Sequence, residues 1–467
     1  MEPHYVPTLD QSSRSLYGYK MINVVDVIGA RLKARTSRDL AEAVSSAIGS
    51  GLLEPDTKLP PIRTVATALS MSPSTVSKAW NLLLRAGVIR TDGRKGTRVA
   101  TLANPGPTRY RRALHHEATT VLDLSTGIPD VTLLPDLSEA LRNLRPSWQQ
   151  NYLDDPMLAE LKNVLLSDWP YQPDRLTIVD GAMDAIDQVA SHLIRISDVV
   201  IVEHPTFPPF LDLLDALGAR IIGVAVDDEG MLPQQLEAAL TSGAKVLLLQ
   251  PRSHNPTGVS MSSRRAKELS THLSTWPGWI VEDDSAGSIS LHAPISFGQW
   301  HLERTVHVRS FSKSHGPDLR LAAVSGPSDL MDAIIERRML GQGWTSRLLQ
   351  SLLLDLLTRP ETIAQVEHAK NVYAQRRAGV VGELERLDVV TIGADGLNIW
   401  LPVEHETAAM LSLASRGVAV AAGSPFATRS VDTDHLRITV SSVAEGFASL
   451  ASDLRDASLA APTWGPR

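Results

Sequence analysis

Cysteine is absent from this 467-residue chain. Its absence excludes disulfide bonds, thiol catalysis and cysteine-ligated metals, and it fits a cytoplasmic protein. Aromatic residues are scarce, at 5%. No apolar run approaches the roughly 20 residues of a membrane-spanning helix, and the polar stretch 1–20 lacks the apolar core of a signal peptide. The 14 histidines show no ligand spacing. We therefore expect a cytoplasmic protein with no membrane segment and no metal site.

Charge is unevenly distributed along the chain. Residues 31–100 carry 12 Lys/Arg and 5 Asp/Glu, a surplus of seven positive charges in a chain whose net charge is −7. The remainder therefore carries −14. A basic segment on an acidic body indicates an anion-binding module, with nucleic acid as the first candidate ligand. Together with the chain length, this predicts a small N-terminal domain joined to one large fold.

Three helical patterns and a hairpin follow one another between residues 36 and 100. Apolar residues recur at helical spacing in 38–48, a second helix begins near Pro61, and Ser72-Pro73 starts a third. Two short β patterns then flank a turn that carries two cations. This order predicts a winged helix-turn-helix, although a small helical dimerisation or substrate-binding domain would show a similar pattern.

The third helix of such a module lies in the major groove of DNA. We expect its N-terminal side chains to contact bases, the turn cations to lie on the backbone or minor groove, and a cation of the second helix to bind a phosphate. The residues concerned are Ser72, Ser74, Thr75, Ser77 and Lys78 in the third helix, Arg94 and Lys95 in the turn, and Arg63 in the second helix.

The rest of the chain has the pattern of an α/β protein. Residues 103–120 contain prolines and arginines without an apolar period, which predicts a linker. Beyond them, continuous apolar runs alternate with amphipathic helices, as in a parallel sheet covered on both faces. From about residue 365 the pattern favours a smaller α+β lobe. The predicted divisions are an N-terminal extension (1–35), a winged helix-turn-helix (36–100), a linker (101–121) and a large domain (122–467).

Residues 308–320, with the sequence Val-Arg-Ser-Phe-Ser-Lys-Ser-His-Gly-Pro-Asp-Leu-Arg, are the most informative segment. Lys313 stands between Ser312 and Ser314, and Arg320 follows seven residues later. Apolar runs on both sides predict strand, turn and strand. A lysine held in such a turn can form a Schiff base with an aldehyde, while hydroxyls and an arginine can bind a phosphate. Pyridoxal 5'-phosphate (PLP) carries both groups, although a basic surface loop would have the same composition.

Further candidate residues follow other predicted strands, where ligands of parallel sheets bind. A glycine that begins a helix offers backbone N–H groups to a phosphate. An aromatic residue can stack on a planar ring or pack in the core, and an asparagine can donate to a ring oxygen. A carboxylate facing a pyridine nitrogen keeps that nitrogen protonated, although an acidic pair can also cap a helix. These positions are Gly181-Ala182-Met183, Phe207, Asn255, and Asp283 or Asp284.

The basic N-terminal segment resembles the winged-helix domain of GntR-family regulators. Residues 51–63 are similar to that family's pattern G-x-L-x-P-G-x-x-L-P-x-x-R, with Asp56 in place of the second glycine. We expect a slightly altered turn to accommodate this aspartate. Residues 72–76 and 93–97 match the start of the third helix and the wing.

The large domain resembles fold-type I PLP-dependent aminotransferases, most specifically at 255–258 and at 310–320. The resemblance implies PLP as cofactor and an α/β fold with a small α+β lobe. It implies Lys313 as the Schiff-base lysine, Phe207 against the ring, Asn255 at the ring oxygen, Asp283 at the ring nitrogen, Ser310, Ser312, Arg320 and the Gly181-Ala182-Met183 backbone at the phosphate, Tyr152 at the phosphate of the other subunit, and Arg437 with Asn398 at the carboxylate of an amino ligand.

A winged helix followed by such a domain is the arrangement of the MocR subfamily of GntR regulators. The resemblance implies a homodimeric, cytoplasmic transcriptional regulator that binds double-stranded DNA and senses PLP, an amino compound or both. One departure is that Ser285 lies where the aminotransferases usually have a tyrosine after the aspartate. Two alternatives stay open: an active aminotransferase that carries a DNA-binding domain, and a regulator that has lost PLP.

Overall fold

The structure is a computed structural model that forms two compact units, 1–104 and 105–467. In the part of the chain that it describes, no helix combines the length and the apolar character needed to cross a bilayer. The described residues are 24–49, 52–54, 56–85, 88–91, 96–99, 108–114, 121–144, 154–429 and 433–461.

The first unit is a winged helix-turn-helix, as the sequence predicts. Its elements are α1 (Val24–Gly29), α2 (Ser37–Gly49), α3 (Ile62–Ala68), α4 (Pro73–Arg85), β1 (Ile89–Thr91) and β2 (Thr97–Val99). The two strands pair antiparallel, and a single bridge between Lys58 and Arg98 extends the hairpin. Leu40, Val44 and Val76 are fully buried, so the apolar faces of α2 and α4 form the core of this unit.

The backbone at Asp56 does not show the alteration expected where aspartate replaces glycine. It keeps the left-handed conformation that a glycine would adopt, with φ of 66°, which aspartate tolerates better than most residues. Its carboxylate pairs with Arg90 at 2.7 Å and Arg98 at 3.4 Å, and Arg98 also donates to the Asp56 backbone oxygen. The turn is therefore retained, and two arginines of the hairpin hold the substituted side chain.

The second unit begins with a helix that the sequence pattern does not indicate. Residues Thr108–Leu114, inside the predicted linker, form α5. Its sequence, Thr-Arg-Tyr-Arg-Arg-Ala-Leu, has too few apolar residues to reveal a periodicity. The helix packs on α9 of the second unit, so tertiary contacts rather than local pattern account for it.

An eight-stranded sheet forms the large lobe of the second unit. The strands β5, β6, β8, β9 and β10 run parallel, whereas β7, β11 and β4 pair antiparallel with their neighbours. Their order across the sheet is β4-β11-β10-β9-β8-β5-β6-β7. The strands are β4 (Arg175–Val179), β5 (Val199–His204), β6 (Arg220–Asp227), β7 (Gly230–Met231), β8 (Val246–Leu249), β9 (Trp279–Asp284), β10 (Thr305–Ser310) and β11 (Ala322–Gly326).

The central strands of this sheet are buried almost throughout, which accounts for their continuous apolar sequences. Apolar clusters pack against the sheet and include residues of the helices α8, α9, α10, α11 and α13. The helices of the large lobe are α6 (Leu137–Asn143), α7 (Ala159–Ser167), α8 (Ala182–Leu193), α9 (Pro208–Ala216), α10 (Pro233–Leu240), α11 (Ser263–Leu273), α12 (Ser312–His315), α13 (Ser328–Met339) and α14 (Arg347–Thr358).

A four-stranded sheet forms the small lobe, which confirms the predicted α+β organisation. Its strand order is β12-β14-β13-β3, and β3 joins from the N-terminal side of the unit by pairing parallel with β13. Helices α15 and α17 pack together over this sheet. The elements are β3 (Leu122–Leu124), α15 (Pro360–Arg386), β12 (Asn398–Val403), α16 (Glu406–Ser415), β13 (Val418–Ala422), β14 (Asp434–Thr439) and α17 (Phe447–Ser458).

Candidate functional site

Lys313 lies in the short helix α12, immediately after the carboxyl end of β10. Burial lowers the pKa of its amine, the negative charge of Asp283 opposes that shift, and the charge of Arg437 reinforces it. Since Asp283 lies near the carboxyl end of the neighbouring parallel strand β9, and Arg437 lies on β14 of the small lobe, residues from both lobes act on this amine. A lysine with a lowered pKa is a stronger nucleophile at neutral pH.

Asp283 and Asp284 are adjacent but have different surroundings, because successive side chains of a strand point to opposite faces. Asp284 is paired with Arg252 through two hydrogen bonds of 2.5 and 3.1 Å. Asp283 is 3% exposed, and its Oδ2 accepts from Gln250 Nε2 at 2.7 Å, whereas its Oδ1 is buried without a partner. Burial raises the pKa of Asp283 to about 6. Asp283 therefore has an oxygen available for a cationic or N–H group.

Gln250 is a central residue of this site that the sequence analysis missed. It follows β8, and its side chain donates to Asp283 and, at 3.3 Å, to Ser285 Oγ. Its Oε1 accepts from the backbone N–H of Asn255 at 3.0 Å. A polar residue directly after four buried apolar positions at a strand end was the available signal. Gln250 thus fixes the position of Asp283 relative to the loop that carries Asn255.

Two further buried groups support the Gln250 loop. Glu203 Oε2 accepts from the backbone N–H of Gln250 at 2.8 Å, and His254 Nε2 lies 3.4 Å from the same oxygen. Burial raises the pKa of Glu203 to about 8 and lowers that of His254 to about 3. Burial thus shifts both groups toward their uncharged forms, because an unsolvated charge is costly.

Gly181, Arg320 and the strand end at Ser310 outline an anion site. Gly181 has φ of 110° and is the N-cap residue of α8. Glycine has no side chain, so no N-cap side chain accepts from the first N–H groups of this helix. A Cβ placed at Gly181 would lie 3.2 Å from Arg320 Nη2, so the guanidinium lies directly beside the glycine. The N–H groups of Ala182 and Met183 begin the same helix, and Ser310 Oγ accepts from Ser312 N at 3.3 Å. A helix N-terminus next to an arginine favours a phosphate.

Arg437 reaches this site from the small lobe. It is 1% exposed, and its Nη1 lies 3.5 Å from Asn255 Oδ1. Nη2 donates to the backbone oxygen of Ser125, and the guanidinium lies 5.2 Å from the centre of the Phe426 ring. Burial lowers its pKa to about 10, so it remains a cation at neutral pH. A buried cation whose Nε has no hydrogen bond is suited to bind a carboxylate.

Phe207 and Asn398 border the same region from opposite lobes. Phe207 precedes α9 and makes edge-to-face contacts with Phe210 and Tyr110, at 5.4 and 6.0 Å between ring centres. Asn398 is buried, and its Oδ1 accepts from Thr439 Oγ1 at 2.9 Å. The amide oxygen of Asn398 is therefore already engaged within the small lobe. Tyr152 lies outside the described residues.

The expected DNA-contacting residues of the first unit lie near one end of α4. Ser72, Ser74 and Lys78 are exposed, and Thr75 and Ser77 are partly exposed. The hydroxyl of Ser72 accepts from the Thr75 N–H at 3.1 Å and so caps the helix, and it also lies 2.8 Å from Ser74 Oγ. Arg63 is exposed on α3, whereas Arg94 and Lys95 lie outside the described residues.

Comparison with known proteins assigns both units. The description "Aminotransferase class I and II" fits residues 119–449, and "Bacterial regulatory proteins, gntR family" fits residues 36–99. The vitamin B6 salvage pathway transcriptional repressor PtsJ of Salmonella typhimurium is 34% identical over 438 residues, which cover 91% of this chain and 99% of that protein. The chain belongs to the GntR family of regulators. It is a MocR-type member, in which an aminotransferase-like domain follows the winged helix.

Two other relatives agree with this assignment. The probable rhizopine catabolism regulatory protein MocR of Rhizobium meliloti is 25% identical over 407 residues, covering 80% of each chain. The alpha-aminoadipate aminotransferase LysN of Thermus thermophilus, solved with N-(5'-phosphopyridoxyl)-L-leucine, superposes with a TM-score of 0.65 at 21% identity, covering 75% of this chain and 97% of that one. The fold of the second unit of this MocR-type regulator is therefore that of an aminotransferase.

PLP is the cofactor of this domain family, and the residues of the site fit it. The unpartnered Oδ1 of Asp283 suits a pyridine nitrogen that carries a proton. Gly181 has no Cβ, which would lie 3.2 Å from Arg320 Nη2, so the space beside the guanidinium is open. A bound phosphate requires such space. Lys313 stands next to Asp283 with a lowered pKa, as a lysine that reacts with an aldehyde requires.

Proposed function

We propose that this regulator binds PLP at Lys313 and uses its occupancy to control DNA binding. The observation that carries the proposal is the buried, unpartnered Oδ1 of Asp283 next to a lysine of lowered pKa. A buried carboxylate oxygen without a partner is costly unless a ligand completes it. In this assignment PLP supplies an aldehyde that reacts with amines and a ring that accepts electron density.

The site residues divide the binding of this cofactor between them. Asp283, positioned by Gln250, faces the ring nitrogen, and Phe207 and Asn255 border the ring. The phosphate takes hydrogen bonds from the start of α8 and a charge-assisted bond from Arg320. Besides Arg320, the phosphate-binding set consists of Gly181, Ala182, Met183, Ser310 and Ser312.

We further propose that the regulator represses genes of vitamin B6 salvage. Similarity to PtsJ along 99% of that protein's length supports this choice. PLP is the active form of the vitamin, so a repressor that binds it would lower salvage when PLP is plentiful. The exposed end of α4, with Ser72, Ser74, Thr75, Ser77 and Lys78, would contact the operator, together with Arg63, Arg94 and Lys95.

Footprinting of the full chain on the DNA upstream of its own coding sequence tests this function. The footprint is measured without ligand, with PLP, and with pyridoxine 5'-phosphate, which keeps the ring and phosphate but lacks the aldehyde. We expect PLP to change the affinity or extent of the footprint and pyridoxine 5'-phosphate to act far more weakly. Identical footprints in all three conditions would contradict the proposal.

An active aminotransferase is the second candidate function, and Arg437 is the observation that favours it. A buried arginine beside Asn255 could bind the carboxylate of an amino acid, with Asn398 nearby. Against it, Ser285 occupies the position of the usual tyrosine, and its side chain accepts from Gln250 instead. The test is conversion of an amino acid and a keto acid over many turnovers by the wild-type chain and by Lys313→Ala. Turnover that is lost in Lys313→Ala would favour an active aminotransferase over a regulator that only binds the amino acid.

We also propose a cytoplasmic homodimer with a DNA-binding domain at 36–100 and an effector domain at 122–467, in which the stretch 101–121 between them includes α5, a helix of the second unit. Exposed large apolar side chains on the second unit support self-association, among them Leu141 at 54% and Leu340 at 79%. Tyr152 would then contact the phosphate bound by the other subunit. Light scattering of the full chain with Leu340→Glu measures this association, and an unchanged mass would contradict the role of this residue.

A further inference from the structure

Helix α5 is the first described element of the second unit, and the first unit ends at Asn104. The chain between the two units therefore leads directly into this helix. Any movement of α5 relative to the rest of the second unit changes where that connection begins. The contacts that hold α5 in place therefore limit how far the start of the connection can move.

Two carboxylates of α9 in the large lobe hold the start of α5. Asp212, on α9, accepts from the backbone N–H of Arg109 at 3.0 Å and from that of Tyr110 at 3.4 Å. The Arg109 guanidinium pairs with Asp212 at 3.3 Å and with Asp215 at 2.6 Å. Asp212 thus performs for α5 the role of an N-cap, although it belongs to a different helix. This attachment links α5 to the helix that Phe207 precedes.

Tyr110 extends from α5 toward the ligand site. Its ring contacts Phe207 edge-to-face, with 6.0 Å between centres and an angle of 76°. Tyr110 is also among the groups close enough to influence the pKa of the Arg437 guanidinium. Tyr110 therefore lies beside the aromatic group proposed for the ring and the cation proposed for a carboxylate.

The other end of α5 contacts the small lobe. Ala113 is 1% exposed and packs in one cluster with Trp400, Ala421 and Phe426. Phe426 lies against the Arg437 guanidinium, and its backbone oxygen accepts from Thr206 N at 2.9 Å. Helix α5 thus bridges the two lobes, with α9 on one side and β13 with Phe426 on the other.

We propose that α5 couples the ligand site to the DNA-binding unit, with Tyr110 as a ligand-contacting residue and the Arg109–Asp212 attachment as the transmitting contact. The inference rests on the proposed PLP-sensing function. A ligand that brings Arg437 and Phe207 closer changes the separation of the two surfaces that α5 bridges. The helix must then shift or lose part of its attachment, and either result alters the start of the segment that leads to the first unit.

Arg109→Ala in the full chain tests the transmitting contact. The substitution removes both ion pairs with α9 but no group of the ligand site. We expect PLP absorbance and PLP affinity within about twofold of wild type. The factor by which PLP changes affinity for the upstream DNA should fall by about three- to tenfold. An unchanged factor would overturn the proposal.

Arg111→Ala is the matched control, because Arg111 is an exposed arginine of the same helix. It removes the same charge only two residues further along the chain from the DNA-binding unit. We expect PLP binding and the PLP-dependent change in DNA affinity to stay within about twofold of wild type. An equal loss of response in both variants would assign the effect to charge rather than to the attachment, and would overturn the proposal.

Tyr110→Phe and Tyr110→Ala test the ligand contact separately. Phenylalanine keeps the edge contact with Phe207 and removes only the hydroxyl, so we expect a shifted absorbance maximum of bound PLP with little change in affinity. Alanine also removes the ring contact, and we expect about a three- to tenfold loss of PLP affinity from an aromatic pair. Spectra and affinities identical to wild type in both variants would exclude Tyr110 from the site.

Hydrogen exchange separates failure of this inference from failure of the proposed function. The backbone amides of Arg109 and Tyr110, which donate to Asp212, should change their exchange rate when PLP is added to the wild-type chain. PLP binding at Lys313 without any change at these amides would overturn the coupling role of α5 and leave PLP binding intact. Absence of PLP binding to the wild-type chain would instead contradict both the inference and the proposed function.

Discussion

The exposed end of α4 and the cleft around Lys313 differ in how their functional side chains are held. Ser72, Ser74 and Lys78 are exposed to solvent, and their polar groups cost nothing to leave unpaired. Asp283 and Arg437, by contrast, are 3% and 1% exposed. Burial forces each cleft residue to have a partner or a shifted pKa. Substitutions in the cleft should therefore change folding and ligand binding together, whereas substitutions on α4 should separate them.

Lys313→Ala should have the largest effect on ligand binding. The amine that reacts with the aldehyde is removed, so borohydride treatment should trap no PLP on the protein, and the visible absorbance of the bound cofactor should disappear. DNA affinity without PLP should stay within about twofold, because the first unit is untouched. Lys245→Ala, an exposed lysine of the same unit, is the control and should keep the trapped cofactor. A PLP adduct that persists in Lys313→Ala would reassign the reactive lysine.

Asp284→Asn and Asp283→Asn should have opposite consequences within the cleft itself. Asp284 is paired with buried Arg252, so removing its charge should lower the free energy of unfolding by about 3–5 kcal/mol. Asp283 forms no ion pair like that of Asp284, and its Oδ1 is buried without a partner, so its substitution should cost much less stability than Asp284→Asn and weaken PLP about 10- to 100-fold, the value of one hydrogen bond to a charged group. Denaturant unfolding and PLP titration measure the two effects. Equal stabilities of the two variants would contradict this distinction between the two aspartates.

The fold was predictable from the sequence to the extent that its patterns are local. Apolar periodicity in 38–48 and the Ser72-Pro73 start predicted α2 and α4, and the continuous apolar runs predicted β5 and β8. Helix α5 was not predictable, because Asp212, about a hundred residues away, accepts its first N–H groups. The strand β3 was likewise determined by pairing with β13 across most of the unit.

The site was predictable where a residue type itself carries the chemistry. Lys313, Asp283 and Arg437 lie within one cleft, as the resemblance implied, and their roles stay predictions. The residue pattern by itself left Asp283 and Asp284 open, and the family spacing favoured Asp283. The structure adds the different partners of the two side chains on the two faces of β9. Gln250 was missed since an amide that orients a carboxylate has no motif of its own. The role of Gln250 follows from its hydrogen bonds to Asp283, Ser285 and the backbone of Asn255, which only the folded chain brings together.

The cleft around Lys313 should make stability depend on pH, because its acids are buried, whereas the exposed end of α4 should not. Glu203 is the buried acid with which to test this. Its pKa is about 8 in the folded state against an ordinary value of 4.5. Between these values the folded chain holds a proton that the unfolded chain has lost, so stability falls as pH rises, by up to about 1.4 kcal/mol per pH unit. Urea unfolding from pH 5 to 8 should therefore show a steeper decline in wild type than in Glu203→Gln. Parallel curves would mean that Glu203 ionises normally in the folded state.

The smallest expected effect lies on α4, where Ser72 both caps the helix and faces the solvent. Ser72→Ala removes the acceptor of the Thr75 N–H and should destabilise the first unit by about 1 kcal/mol. Ser72→Asp restores a good cap but adds a negative charge on a surface that is expected to contact the polyanionic DNA. The aspartate variant should therefore unfold like wild type, measured by thermal denaturation, yet bind the upstream DNA more weakly than the alanine variant at low salt. If both variants bind DNA equally well, Ser72 does not lie against the DNA, and the separation of folding from binding on this surface would have to be sought at Lys78 instead.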